Sequence, residues 1–399
     1  MKALSDLVML DLTHMLSGPY GTMLLSDLGV QTIKVERPGT GEGTRPLLAK
    51  DPKNSLNGMG AYFLTLNRNK KSVCIDLRQD EGRELFYRMA EKADIVFDNF
   101  SAGVTGRLKI DHAHLSKINP RIITCTLTGF GETGPDKDRP AFDMVAQGLG
   151  GGMSITGSPD CAPMRSGIPI GDLGGGAFAA MGVLAALHAR TVTGRGQHVD
   201  VSMLDGQISL LNYMATMYFL SGDNPGPLGN GHFVHVPYNV FKTKSRPIIL
   251  ACVTDEFAIK VAEILGDADL QDEKYHKQQG RFPDREFIND RVQEHLAKES
   301  CEHWMELLTR ARIPHAPVND FEYALNDPQI RARNMVVEVE HPEGGSVEMP
   351  GNPIKLSETH EDTFTPPPLV GQHTDEVFRD MLGLDDGELA RLRRAEIIG

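Results

Sequence analysis

What is missing from these 399 residues narrows the chemistry first. There is no C-x-x-C pair. The five cysteines (Cys74, Cys125, Cys161, Cys252, Cys301) are scattered and odd in number, which reads as unremarkable thiols over a redox or metal role. No G-x-S-x-G elbow and no Walker loop occurs, so acyl transfer through a serine or cysteine has no visible home. No uninterrupted apolar run of about 18 residues is present, so no membrane span is expected. Asp6 and Asp11 arrive too early for the apolar core of a signal peptide, and a cytosolic location is expected. Positive charge is short: 41 Lys and Arg against 54 Asp and Glu give a net charge of −13. Nucleic acid is a poor partner for that field, and an anionic ligand would need a local cluster of cations to oppose it. Neither an internal repeat nor a low-complexity tract is seen.

What is present alternates strand and helix. "VMLDLT" (8–13) reads as a buried strand, "SGPYGTMLLSDLG" as a helix with Ser17 as N-cap and Gly29 as its stop, and "VQTIKVE" (30–36) as the next strand. Strand 72–77, helix 81–93, strand 94–99, a helix-like 111–118 and strand 121–128 follow. After "GDLGGG" a helix of small and apolar residues runs to about 191, then come 196–204 and a Met- and Leu-rich helix to 220. The pattern predicts an α/β fold with a mostly parallel, helix-covered sheet. Gly, Pro and Asn crowd 221–232, which reads as a linker or mobile loop. Strand, helix and a charged helical stretch beyond it suggest a smaller α+β unit. The proline-marked tail is expected to pack back on the first domain.

Several motifs have plain readings. Gly129, Gly131 and Gly134 have G-x-G-x-x-G spacing after a strand, but Pro135 and Pro140 follow where a helix should open, so a tight turn is favoured. His112 with His114, and His232 with His235, lack Cys or carboxylate partners at ligand spacing, and no metal is expected. His14 follows the first strand, where α/β sheets place ligands, and remains open between packing and function. Arg37, Arg45, Lys70, Lys71 and Arg107 fall in loops or at strand ends of successive β-α units, and converge on one rim that would suit an anion.

Asp172 in "PIGDLGGGAFAA" is a lone carboxylate among glycines. Glycines let a backbone approach closely, Gly174–Gly176 would offer unblocked N–H groups, and the positive end of the following helix favours the ionised form. A shielded carboxylate of this kind is a nucleophile for a thioester, with N–H groups at the oxyanion. A plain helix cap fits the same residues, and the two readings stay open on chemistry alone.

These segments also carry a resemblance. "MLDLTHMLSGPYGTMLLSDLGVQTIKVERPGTGEGTR", "FLTLNRNKKSVCIDL", "ADIVFDNFSAGVTGRL", "FDMVAQGLGGGMSITG", "RSGIPIGDLGGG", "TGRGQHVDVSML" and "PLVGQHTDEVF" together resemble the family III CoA-transferases, the CaiB/BaiF group, over essentially the whole chain. The resemblance implies a Rossmann-like large domain of residues 1–220 and 330–399, a small α+β domain at 221–329, and an interlocked homodimer. It implies Asp172 as the catalytic residue, forming an aspartyl anhydride and then an aspartyl-CoA thioester. Coenzyme A and acyl-CoA would be substrates, with no tightly bound cofactor and a carboxylic acid as acceptor, a small dicarboxylate by the family's habit. Carried over as CoA contacts are Arg37, Asn99, Phe100, Arg107 and Met203, with Lys70 and Lys71 as extras. His14, Leu16, Phe142, Asp143, Gly174, Gly175 and the loop glycines Gly229 and Gly231 would lie at the substrate or oxyanion. Leu16 and the Phe142–Asp143 pair depart from the oxalate–formate branch, which has a glutamine and a Tyr-Glu pair there. The racemase branch uses a histidine where Phe142 stands, and a phenyl ring carries no proton, so racemase is the second reading.

Overall fold

The computed structural model describes residues 2–161, 163–360 and 362–399. Six strands build one sheet: in chain order Val8–Asp11, Gln31–Glu36, Lys70–Cys74, Ile95–Asp98, Ile123–Thr128 and His198–Ser202. Their order across the sheet is third, second, first, fourth, fifth, sixth. Every pairing is parallel, with Leu10 beside Ile33 on one side and Val96 on the other, and Phe97 beside Cys125. All six residues of Ile123–Thr128 are buried, as a parallel strand covered on both faces requires. The winding reverses between the first and fourth strands. The crevice beyond the C-terminal ends of those two strands is where such a sheet receives a ligand.

Alternate side chains go to opposite faces. Leu10, Ile33, Val35, Val73 and Val96 enter one core. It is closed by Leu85, Phe86 and Met89 of helix Asp80–Ala90, by Leu115, and by Phe378, Leu382, Leu389 and Leu392 near the C-terminus. Ile398 adds an isolated antiparallel bridge to Ile75. Met9, Ile95, Phe97, Ile123 and Leu127 enter the other core, under helices Ser17–Asp27 and Ile170–Thr193. By length and composition the second helix would cross a membrane, yet Ala179, Val183 and Ala186 are buried in the sheet's own core. The two helices meet through glycine. A Cβ on Gly176 would stand 2.5 Å from the Ser17 carbonyl oxygen, and one on Gly21 would stand 2.8 Å from that of Gly176.

The chain divides into two compact units, 1–152 with 165–222 and 332–399, and 153–164 with 223–331. The short piece 153–164 therefore goes with the second unit, which its sequence gave no sign of. Within that unit an antiparallel sheet runs His315–Pro317, Ile248–Ala251, Tyr238–Phe241. Helices Asp255–Leu265, Arg285–Leu296 and Cys301–Arg310 surround a core in which Trp304 donates its indole N–H to Leu296 O at 2.9 Å. Thr254 and Ser300 cap the first and last of these helices. Gly229 and Gly231 belong to this unit. Gly229 lies at φ +61° and its N–H donates to Gly157 O at 2.8 Å. His232 is a turn residue, its Nδ1 accepting the N–H groups of Val234 and His235.

Two local expectations change. Leu16, not Ser17, is the N-cap of the first helix, and Ser17 is its first helical residue. The third strand begins at Lys70 instead of Ser72, which draws both lysines into the sheet.

Candidate active site

The long helix begins at Ile170 after Pro169, whose ring leaves no side-chain cap. A carboxylate from elsewhere does the capping. Asp143, in the first turn of helix Asp143–Leu149, accepts Gly171 N–H at 2.8 Å and Asp172 N–H at 3.3 Å through Oδ1. Its Oδ2 accepts Gln147 Nε2 at 2.7 Å, and Gln147 Oε1 in turn accepts Ser166 N–H. Ile170 N–H bonds Ile168 O and Leu173 N–H bonds Pro169 O, so every N–H of the first turn is occupied.

This corrects three expectations. Asp172 is no N-cap but the third helical residue. Gly174 and Gly175 lie within the helix, not on a loop of free donors, and they serve packing: a Cβ on Gly175 would stand 3.2 Å from Met203 Cγ. The helix end does not hold Asp172 in its ionised form either. Burial, and after it the charge of Asp143, push its carboxyl up to about 7. Half-buried and half-neutral near pH 7, it is a carboxylate whose reactivity is sensitive to small changes around it.

Opposite lies the loop after the first strand. Asp11 Oδ1 accepts Thr13 N–H at 2.8 Å, and Lys34 Nζ donates to Thr13 O at 2.8 Å. Across the winding reversal, the Asn99 side chain grips the next residue at both ends: Oδ1 accepts His14 N–H and Nδ2 donates to His14 O, each at 2.7 Å. The His14 ring lies against Phe100, with centroids 5.6 Å apart. Beneath, Asp98 accepts Phe100 N–H and the Thr126 hydroxyl, and burial pushes its carboxyl up to about 7. A cavity of about 550 Å³ opens beside Leu16, Tyr20, Tyr62 and Leu173. Tyr62 feels the charges of Asp172, Glu42 and Asp143, and burial together with these raises its pKa. Tyr62 lies outside the quoted family segments, and Glu42 lies within one of them, but neither was singled out from sequence.

The sequence model of CoA-transferase family III matches residues 4–374. This chain belongs to that family. An acetyl-CoA:oxalate CoA-transferase of Acetobacter aceti is 37% identical over 353 residues, 88% of each chain. A succinyl-CoA:glutarate CoA-transferase of Mus musculus is 33% identical over 399 residues, 100% of this chain and 91% of the relative. The crystal structure of a CaiB/BaiF family protein from Brucella suis superposes with a TM-score of 0.84 at 32% identity, covering 95% of this chain and 99% of the other.

For a CoA-transferase of this family, the expected CoA contacts sort by rim. Arg37 and Arg107 are exposed beyond the C-terminal ends of the second and fourth strands. Arg78, beyond the third, is bidentate to Asp76, with both contacts at 2.8 Å. Met203 follows the sixth strand and is buried against Gly175. Phe100 is at the crevice, whereas the Asn99 amide is already taken up by His14.

Lys70 is a correction. Its side chain has no exposure, its Nζ lies 2.9 Å from Asp11 Oδ2 and bonds Thr22 Oγ1, and no phosphate can reach it. Lys71 lies at the start of the same strand, hence on the opposite rim, paired with Glu376 at 2.6 Å. Arg45 is bidentate to Glu36 and stacks on Phe63, a packing role. Phe142 is 67% exposed while Asp143 beside it is buried. Gly229 and Gly231 lie in the second unit. Among the described residues no group of three or more His, Cys, Asp or Glu could hold a metal ion.

Proposed function

We propose that this CoA-transferase moves CoA from an acyl-CoA, succinyl-CoA being the first choice, to a small dicarboxylic acid through covalent chemistry at Asp172. Asp172 attacks the thioester carbonyl and the C–S bond breaks, leaving a mixed anhydride and CoA thiolate. The thiolate attacks the Asp172 carbonyl carbon, giving an aspartyl-CoA thioester and releasing the donor's acid. The acceptor carboxylate then attacks that thioester, and the freed thiolate takes the acceptor's acyl carbon, regenerating Asp172. The donor anhydride, the aspartyl-CoA thioester and the acceptor anhydride all survive only where water is scarce.

One observation carries the reading: a carboxylate held at a fixed helix position by Asp143, half-buried and pushed up to about 7 by burial and that same neighbour. The acceptor class is supported by the oxalate and glutarate of the two relatives' names. Arg37 and Arg107 offer the CoA phosphates two exposed guanidiniums on one rim of a chain whose net charge is −13. A second copy of the chain is proposed to cover helix Tyr213–Ser221. No residue of that helix is buried, and its Phe219 and Leu220 are 79% and 83% exposed.

The test is to trap the acyl-enzyme. Hydroxylamine added during turnover should mark Asp172 alone, and Asp172→Ala should abolish transfer while leaving CoA binding nearly intact. Label elsewhere, or retained turnover, refutes the assignment. The racemase reading rests on proton removal at the α-carbon, for which Phe142 supplies no base. Deuterium wash-in without any acceptor acid would favour it.

A further inference from the structure

The crevice is anionic before any acid enters. Asp172, Asp143 and Glu42 all act electrostatically on Tyr62, and an acceptor brings a further carboxylate. That approach needs a hydrogen-bond donor or cation on the crevice side. Arg68 lines the neighbouring cavity but is bidentate to Asp27, its side chain 1% exposed. His14 remains. Its ring is partly exposed, its Nδ1 lies 3.7 Å from Glu42 Oε2, and among the described residues its Nε2 has no hydrogen-bond partner.

Its surroundings fix it. Glu42 is 1% exposed; its Oε2 accepts Met15 N–H at 3.4 Å, and among the described residues its buried Oε1 has no hydrogen-bond partner. A buried carboxylate oxygen left unsatisfied is costly, and among the described residues the His14 imidazole is the only basic group within 4 Å of the Glu42 carboxylate. Both backbone groups of His14 are held by Asn99, and the preceding Thr13 is held by Asp11 and Lys34. Met15 follows at φ +64°, an uncommon conformation for a non-glycine residue that persists only where its surroundings impose it. The loop is therefore built to present one ring at one place. It leads directly to Ser17, whose carbonyl packs on Gly176, one helical turn from Asp172 on the same face.

We propose that His14 binds the non-reacting carboxylate of the dicarboxylic acceptor through Nε2, and that Glu42 and Asn99 are positioning residues, one acting on the ring and the other on the backbone. This rests on the reading of the protein as a CoA-transferase working through Asp172. With Nδ1–H directed at Glu42, the doubly protonated ring presents Nε2–H to the acid. Asn99 ties the first strand's loop to the fourth strand's end, so the crevice cannot widen without losing the ring's placement.

The experiment separates the two half-reactions on the full-length protein, with acetyl-CoA as donor, which carries no second carboxylate, and glutarate as acceptor. His14→Ala should form the donor-derived adduct on Asp172 at close to the wild-type rate. Its discharge to glutarate should fall, with the acceptor KM up about tenfold and the donor KM unchanged. His14→Gln, which keeps an N–H near the Nε2 position, should recover part of the loss. Glu42→Gln and Asn99→Ala should each impair discharge in the wild-type background and add little in the His14→Ala background. Equal losses in both half-reactions, or full additivity of both positioning variants with His14→Ala, would overturn the proposal. Should Asn99→Ala fail to fold, the Glu42→Gln cycle decides alone. Absence of any adduct on Asp172 in the wild type would instead defeat the reaction assignment itself, and His14's role with it.

Discussion

Two sets of buried carboxylates sit on the same sheet and behave in opposite ways. Under the first three strands, burial raises the Asp11 carboxyl, but Lys70 and then Lys34 outweigh it and hold it far below the usual range. Lys70 itself is pushed down to about 8 by burial against the pull of Asp11, so the pair is ionised at neutral pH. At the fourth strand's end Asp98 is buried, and at the start of the long helix Asp172 is half-buried; among the described residues no cation is bonded to either, and both stand at about 7. A buried carboxylate with a matched cation is scaffold, whereas one without it keeps free energy available for chemistry.

The comparison breaks most sharply through activity. Asp172→Asn should lower kcat by at least about a thousandfold while raising the melting temperature. A carboxyl raised in the fold favours the protonated native state. The stabilisation by the amide is therefore full above about pH 7 and shrinks as pH falls from 7 toward 4. Asp11→Asn should do the reverse, leaving Lys70 without its counter-ion at a cost of about 3–5 kcal/mol. Denaturant melts of the two variants side by side check both signs, and like signs would erase the distinction drawn between the two regions.

Smaller effects sharpen it. The rate of Asp172 acylation should rise with pH through about 7, as the nucleophilic form appears. Asp143→Asn keeps an acceptor for Gly171 N–H but removes the charge, and should move that limb down by about one unit. A pH–rate profile that ignores Asp143 would mean burial acts alone. Last, Arg37→Ala should weaken CoA about tenfold and Lys71→Ala should not. Calorimetric titration with CoA reads both, and equal losses would void the division of cations by rim.

Much of the sheet was legible because buried parallel strands are continuous apolar runs, as in "ITCTLT". The third strand's start was not, since Lys70 reads as loop until its partner Asp11, far away in the chain, is placed beside it. The glycines after Asp172 marked a special backbone correctly in kind. Their purpose was misread because helix packing and free N–H donors both call for glycine, and only the neighbouring Ser17 and Met203 tell the two apart. Asp143 was named, but its capping of a helix that begins 27 residues later leaves no local pattern. Glu42 and Tyr62 reach the site from the stretches "GTGEGT" and "GAYFL", in which one sequence does not single them out.

The closing of the first core by Phe378, Leu382, Leu389 and Leu392 reaches beyond stability. During synthesis on the ribosome the large unit carries an uncovered sheet face until residues as late as Ile398 have emerged, while the inserted unit, whose core is complete by Ile313, can compact earlier. Truncations near the C-terminus should therefore expose apolar sheet surface and cause aggregation before they touch the chemistry.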